Sequence, residues 1–463
     1  MADGSADERR LLAGRIVPKY SLMVKEILLA ILDRFDADED YPFIDTKLDL
    51  VTGEDFEAGE ESSSSCKGKN VIYTWIQGRG LEAMAGHLEW AQTSLCFSNS
   101  TERESVCARI TALLKKVSCA MEAIRSANNG RLFFSMTRDG APVEILDCHK
   151  LKQRAPLASD LPTSYSDLFY SKGLLKAAAS LGNADLMNAA MEYFERSIED
   201  VEANRFRTDQ QTFDPKNQVK HIAGKRMQGP FMISLLGLAE AFLATSDTRW
   251  LDTAQRFIRH ILDFHVVHNN DMAEDLQCFD FFEAVDEQGK PWKGIDGKIV
   301  CDPGHALEFI GLSSKCLLEM IPYPKYCSFI GECNALLPKL FVHVFRLGFN
   351  PSVGGIFKSF DLVGRKAMNT DMPWWSLPEA IRAGCNLLTL SPDCDELSEI
   401  TDIIAACADG FMKNYVNKDV HMMAFQTISE DGRVADIIPA TPDADPGYHT
   451  SLSIIDAIKH LKR

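Results

Sequence analysis

The chain has 463 residues, 46% of them apolar, and a formal net charge of −17 from 49 Lys and Arg against 66 Asp and Glu. That is enough for a sizeable core in one large domain or about three small ones. The acidic balance excludes a surface built to grip nucleic-acid backbones or anionic membranes.

Met1 to Arg15 is polar and charged with no apolar signal-peptide core, and no stretch approaches the about 20 apolar residues of a membrane span. The 13 cysteines are scattered singly, without CxxC pairs. Reduced thiols and a cytoplasmic location are therefore expected, not a zinc ribbon or a disulfide framework.

Helical periodicity dominates. Ser21–Arg34 carries Leu22, Val24, Ile27, Leu28, Ile31 and Leu32 as a broad apolar stripe, which predicts an amphipathic helix. Asp45–Lys69 is acidic, turn-like and Ser-rich at Ser62–Ser65, and predicts a mobile surface loop. Helix and loop make an N-terminal unit, residues 1–69, expected to pack on a main domain of residues 70–463. Tyr73–Ala91 and Val106–Asn128 read as helices. Arg131–Glu144 alternates and turns at Asp139-Gly140, which predicts a β-hairpin. Asp167–Gly182 with Asp185–Ala203, and Gly229–Thr245 with Asp247–Phe264, read as αα-hairpins.

In the second half, Phe279–Val300 holds turns and short strands, and Asp302–Met320 and Tyr326–Leu347 are predicted helices. Gly354–Ala367 reads as strand–turn–strand and Met422–Arg433 as extended. Further helices start near Trp374, span Leu397–Val416, and close the chain at Tyr448–Leu461. Paired helices with short inserted hairpins, and no Pro/Gly/Ser linker after residue 70, predict an all-α (α/α) toroid. An α-solenoid is the competing arrangement.

Four stretches combine polar and aromatic residues in ways a core does not require. Trp75–Gly80 sets Arg79 in an apolar helical run. Asp302 is a good N-cap and Pro303 suits the first helical position, so His305 and Glu308 share one face of a first turn. The positive end of the helix dipole favours a neutral, proton-accepting His305, while Glu308 could hold the ring and push the other way. Trp374-Trp375, with Glu379 just beyond, offers flat platforms for sugar C–H faces. Pro446–Thr450 puts His449 at another helix start. Read singly, each is more often structural: a surface Arg, a satisfied His–Glu pair, core tryptophans, a capping His. His221, His260, His265 and His268 read as structural or surface residues.

Together the stretches resemble the N-acylglucosamine 2-epimerase superfamily, which includes cellobiose 2-epimerases and sugar aldose–ketose isomerases. Trp75-Ile-Gln-Gly-Arg79 is similar to the family's Trp-Leu-Gln-x-Arg helix, Phe134–Gly140 to its first hairpin, and Phe169-Tyr170 to the start of its next helix. Pro303-Gly304-His305-x-x-Glu308 matches Pro-Gly-His-x-x-Glu. Trp374-Trp375-x-x-x-Glu379 matches Trp-Trp-Pro-x-x-Glu apart from the proline. Gly447-Tyr448-His449-Thr450 matches the C-terminal aromatic-His-Thr. The motifs run in family order from about residue 70 to the C-terminus.

The resemblance implies an (α/α)6 barrel with its site at one mouth, a small-molecule sugar substrate, and proton transfer at C2 with no cofactor and no metal. His449 and His305 would be the general acid/bases, and Arg79 would sit beside the carbonyl and enediolate oxygens. Glu308 and Glu379 would orient the histidines or bind hydroxyls, and Trp375 would border the sugar with Trp374 and Trp75 nearby. Two histidines on opposite faces of an enediolate give epimerisation; one face with delivery to C1 gives an aldose–ketose isomerase. No nucleic-acid or membrane partner is implied, and a homodimer is left open.

The family's tryptophan six residues after the first histidine is Gly311 here, and its Trp-Trp-Pro is Trp-Trp-Ser, with Ser376. Phe231–Glu240 lacks the third histidine of some members. Loss of an aromatic wall at Gly311 predicts a roomier site. The competing readings are a sugar- or protein-binding relative without turnover, and a glycoside hydrolase using Glu308 and Glu379 at about 5–10 Å. A metal-dependent isomerase is disfavoured, because the histidines and acids show no compact ligand spacing.

Overall fold

A computed structural model describes residues 2–56, 65–147, 150–156, 158, 160–213, 222–268, 275–437 and 440–462. It contains twelve α-helices among them: α1 (Ala2–Ala37), α2 (Thr74–Thr93), α3 (Ser100–Ala127), α4 (Tyr165–Leu181), α5 (Ala184–Glu202), α6 (Gly229–Thr245), α7 (Arg249–His265), α8 (Pro303–Met320), α9 (Cys327–Gly348), α10 (Ser376–Leu390), α11 (Leu397–Gly410) and α12 (Ser453–Leu461).

Burial sorts these helices into two rings. In α7 the apolar residues Trp250, Leu251, Ala254, Phe257, Ile258 and Ile261 are buried at helical spacing, so one face packs and the other meets solvent. In α2, burial runs almost unbroken from Thr74 to Ala91, as expected of a helix enclosed on all sides. Inner helices α2, α4, α6, α8, α10 and α12 pack each on the next, and the turn before α12 closes the ring on α2. Each inner helix also packs on an outer one, with α1 lying against α11, α12 and α3. The fold is an (α/α)6 barrel.

Close approach of α2 and α4 depends on two glycines. A Cβ on Gly173 would lie 2.1 Å from the Gly78 carbonyl oxygen, and one on Gly78 would lie 2.5 Å from the Phe169 carbonyl oxygen. This contact seats Arg79 beside Phe169 at the inner wall.

The strands are short and lead into inner helices. Val71–Tyr73 precedes α2, Val300–Cys301 precedes α8, and Met372–Pro373 precedes α10. Val300–Cys301 pairs with Ser359–Asp361, which also pairs with Lys366–Asn369. Met372–Pro373 pairs with Thr427–Ile428.

Several expectations are corrected. Arg131–Glu144 is not a simple hairpin: Ser135–Thr137 pairs with Val71–Tyr73, and Val143–Asp147 pairs with Lys150–Gln153. The turn at Asp139-Gly140 survives with one bridge, Met136 to Pro142. The start of Asp45–Lys69 is not a surface loop either. Asp45, Thr46 and Lys47 are buried, because Asp45 pairs with Arg34 and Lys69 while Lys47 pairs with Asp443. Residues 57–64, with Ser62–Ser64, lie outside the described residues.

The predicted helix at Ser21–Arg34 is the C-terminal part of the longer α1, which continues through Pro18. Helix α3 starts ahead of Val106, because the Asn99 side chain caps it by accepting the Glu102 N–H. Two predicted helices contain π-helical turns, at Phe411–Tyr415 and Tyr448–Leu452. Among the described residues no helix is long and apolar enough to cross a membrane.

Candidate active site

A cavity of about 500 Å³ opens where the first turns of the inner helices converge. Trp75 and Arg79 from α2, Phe169 from α4, Met232 from α6, His305 and Glu308 from α8, Trp374 and Trp375 ahead of α10, and His449 ahead of α12 all line it. Helix N-termini carry partial positive charge, so their convergence favours negative charge developing in the cavity. A recess of about 250 Å³ adjoins it, sharing Tyr165, Thr208, Lys225 and Met227.

His305 is placed by local chemistry. Asp302 caps α8 by accepting the His305 backbone N–H at 3.2 Å, with Pro303 in the first turn. Gly304 lets the next wall come close: a Cβ there would lie 2.7 Å from Trp375 Cη2. The His305 Nδ1 hydrogen goes to Glu283 Oε2 at 2.9 Å, with Asp302 Oδ2 at 3.4 Å. Lys358 binds Asp302 at 2.6 Å. Burial opposes charge on the ring, but Asp302 and Glu283 outweigh it and push the imidazole up to about 9. His305 is therefore cationic near neutrality. The dipole argument for a neutral ring is overridden by two carboxylates, and Glu283, not Glu308, holds the ring.

His449 sits in the π-helical turn after Gly447, whose φ of +85° suits glycine. Asp445 accepts the backbone N–H groups of Tyr448 at 2.9 Å, His449 at 3.3 Å and Thr450 at 2.8 Å, fixing the turn. His449 Nδ1 lies 2.9 Å from Glu379 Oε1 in a hydrogen bond, which leaves Nε2 for the cavity. One indole borders both histidines. Trp375 stacks on His305 with ring centroids 5.2 Å apart, and its centroid lies 5.5 Å from that of His449. Trp374 meets His449 edge-on at 6.2 Å.

Arg79 lies over the rings of Phe169 at 4.3 Å, Trp75 at 5.3 Å and Tyr448 at 5.5 Å. Among the described residues no acid forms an ion pair with it, and its buried Nε has no hydrogen-bond partner. Burial lowers its pKa, partly offset by Tyr448 and Glu308. It is a cation awaiting an acceptor. Behind Tyr448, Lys172 donates to the phenol oxygen at 2.7 Å and pairs with Glu82.

Glu308 lines the cavity; Glu379 lies beneath His449, fully buried. Burial and the neighbouring Glu379 raise the Glu308 pKa, whereas Arg382, with His449 and Ser453, overcomes burial and holds Glu379 low. Glu308, Glu379 and His449 bring potential ligand atoms within 4.8 Å of one another, so the expectation of dispersed acids and histidines fails for these three. Ser453 and His449 Nδ1 engage Glu379 Oε1, and Arg382 Nη1 lies 3.0 Å from Oε2 as an ion pair.

Gly311 and Ser376 do not line the cavity, so the roomier site expected at Gly311 is corrected. Gly311 faces α10, where a Cβ would make ordinary contact at 3.4 Å from Arg382 Cδ. Ser376 is buried at the start of α10. On α6, Met232 and Ile233 make an apolar wall. Of the other histidines, His265 Nδ1 lies 2.9 Å from the Phe282 carbonyl, His268 Nε2 lies 2.7 Å from the Leu262 carbonyl, and His260 stacks on Phe231. His221 lies outside the described residues.

Sequence reasoning missed Glu283, Lys358, Lys172 and Arg382. Glu283 left one trace, an acid inside the apolar run Phe281-Phe282-Glu283-Ala284-Val285.

Several solved structures resemble nearly the whole chain, three of them as follows. Cellobiose 2-epimerase from Spirochaeta thermophila is 13% identical, with 96% of this chain and 98% of that one covered and a TM-score of 0.61. A sugar epimerase from a ruminal bacterium is 12% identical, with 94% and 98% covered and a TM-score of 0.64. A D-mannose isomerase is 15% identical, with 93% and 97% covered and a TM-score of 0.58. At such identities the likeness concerns the fold. No curated protein matches the sequence. The sequence profile described as N-acylglucosamine 2-epimerase (GlcNAc 2-epimerase) matches residues 96–452. The chain belongs to the N-acylglucosamine 2-epimerase family and is a carbohydrate epimerase or isomerase.

Proposed function

We propose that the protein is a sugar 2-epimerase that moves the C2 proton of an aldose through an enediolate without a cofactor. The observation that carries this is the opposite dress of two histidines on one cavity. His305 stands between Asp302 and Glu283 with its pKa pushed up to about 9, whereas His449 turns Nδ1 to Glu379 and keeps Nε2 for the cavity. His449 removes the proton as base, and cationic His305 returns one as acid. Arg79 and the converging helix N-termini stabilise the oxyanion. Trp375, between the two rings, borders the sugar. Glu308, on the cavity wall with a raised pKa, hydrogen-bonds a hydroxyl.

An aldose–ketose isomerase of the same family is the alternative; it needs proton delivery to C1 by one face alone. The hydrolase reading loses support because Glu379 lies beneath His449 and cannot flank a glycosidic bond with Glu308. Product analysis after incubation with N-acetylmannosamine, mannose, glucose and cellobiose tests the proposal. Interconversion of C2 epimers is expected. A ketose product favours the isomerase, and no product from any sugar counts against both.

A further inference from the structure

Below the cavity, each inner helix contributes one charged side chain to a chain of ion pairs. Glu89 pairs with Lys176 at 2.6 Å, and Lys176 with Glu240 at 2.7 Å. Lys315 lies 3.7 Å from Glu240 and 3.3 Å from Asp456, and Asp456 lies 3.5 Å from Arg382 Nε. Arg382 then reaches up with Nη1 to Glu379 Oε2 at 3.0 Å. Its side chain is 1% exposed, and among the described residues Glu379 and Asp456 are the acids that pair with it.

The carboxyls of Glu308 and Glu379 are buried side by side with His449. Two such groups in contact do not both ionise readily, so whichever has the better cationic partner takes the charge. Arg382 touches Glu379. Had Glu379 kept its proton, it would donate to His449 Nδ1 and leave the hydrogen on Nε2, the tautomer that cannot act as base toward the cavity.

We infer that Arg382 is a positioning residue. It makes Glu379 the ionised member of the Glu308–Glu379 pair, and so holds His449 with its hydrogen on Nδ1 and a free lone pair on Nε2. This rests on the reading of His449 as base. The groups facing Glu379 are Arg382 on its own helix, Glu308 on α8, and His449 and Ser453 at the start of the last helix. Asp456 and Lys315 stand behind Arg382.

The experiment pairs turnover with the imidazole nitrogen-15 spectrum of histidine-labelled full-length protein, using His449→Asn to assign the signal. In wild type the neutral His449 ring is expected to carry its hydrogen on Nδ1, with the Nε2 resonance at the unprotonated position. Protonated Nε2 with unprotonated Nδ1 overturns the inference without any variant. In R382M and R382Q, turnover is expected to fall at least about 100-fold with KM within about threefold. The acid limb of the pH profile should move upward, and the Nε2 signal toward the protonated position; R382K should restore part of the rate. A folded R382M or R382Q with wild-type turnover and an unmoved His449 signal overturns it. If wild type turns over no sugar, the functional reading fails, while the wild-type nitrogen spectrum still decides the Arg382 role.

Discussion

Glu283 binds His305 Nδ1 at 2.9 Å from a segment 22 residues upstream, and with Asp302 it keeps that ring charged. The His305 pKa in the folded protein is about 9 against an ordinary 6.5. Its ion pairs therefore stabilise the fold fully below about pH 6.5 and lose effect as pH rises through about 9. E283Q should be less stable than wild type near pH 6, and the gap should shrink by about pH 10. The alkaline limb of turnover should also move to lower pH. Urea unfolding at the two pH values checks the first; an equal penalty at both would contradict it.

His449 is expected to be indispensable for turnover but not for the fold. H449A should lower C2 proton exchange by about 10²–10⁴-fold, the range of a lost general base. Its thermal melt should stay close to wild type, since Glu379 retains Arg382 and Ser453. Wild-type exchange by a folded H449A would remove the residue from the mechanism.

Arg79 should matter to the transition state more than to binding. R79M is expected to lower kcat by about 10²–10³-fold, as when one oxyanion donor is removed, with a smaller change in KM. Steady-state kinetics decide; a rise in KM at constant kcat would make Arg79 a ground-state binding group.

Trp375 joins both histidines and is 7% exposed. W375A should cost about 3–5 kcal/mol in denaturant unfolding, and W375F less. An unchanged midpoint in W375A would show that the indole is not packed as described.

The α2–α4 contact predicts a steep penalty for one methyl group. A Cβ at position 173 would meet the Gly78 carbonyl oxygen at 2.1 Å. G173A should be destabilised by about 1–3 kcal/mol, with activity reduced because Arg79 follows Gly78. Differential scanning calorimetry with an activity assay checks both.

What could be read in the sequence is local in the chain. Asp302, Pro303, His305 and Glu308 fall within one capped helical turn, so spacing alone puts the two side chains on one face. The helix pairs were legible because outer helices such as α7 keep a single apolar stripe. The missing parts are partners set by tertiary contact. Glu283 reaches His305 across 22 residues and Lys358 reaches Asp302 across 56. Arg382 sits three residues after Glu379, yet its meaning depends on Asp456 and His449 on other elements. The hairpin at Arg131–Glu144 misled because alternation marks strands and does not name their partners.

If the cavity makes and breaks a C–H bond at C2, substrate sugars exchange that proton with solvent. The protein would be incubated in D2O with N-acetylmannosamine, mannose, glucose and cellobiose, and the C2 proton of each followed by NMR. Loss of that signal is expected for at least one sugar, and is expected to be abolished in H449A. Retention of the C2 proton in every product, or in every sugar with no product formed, would contradict it.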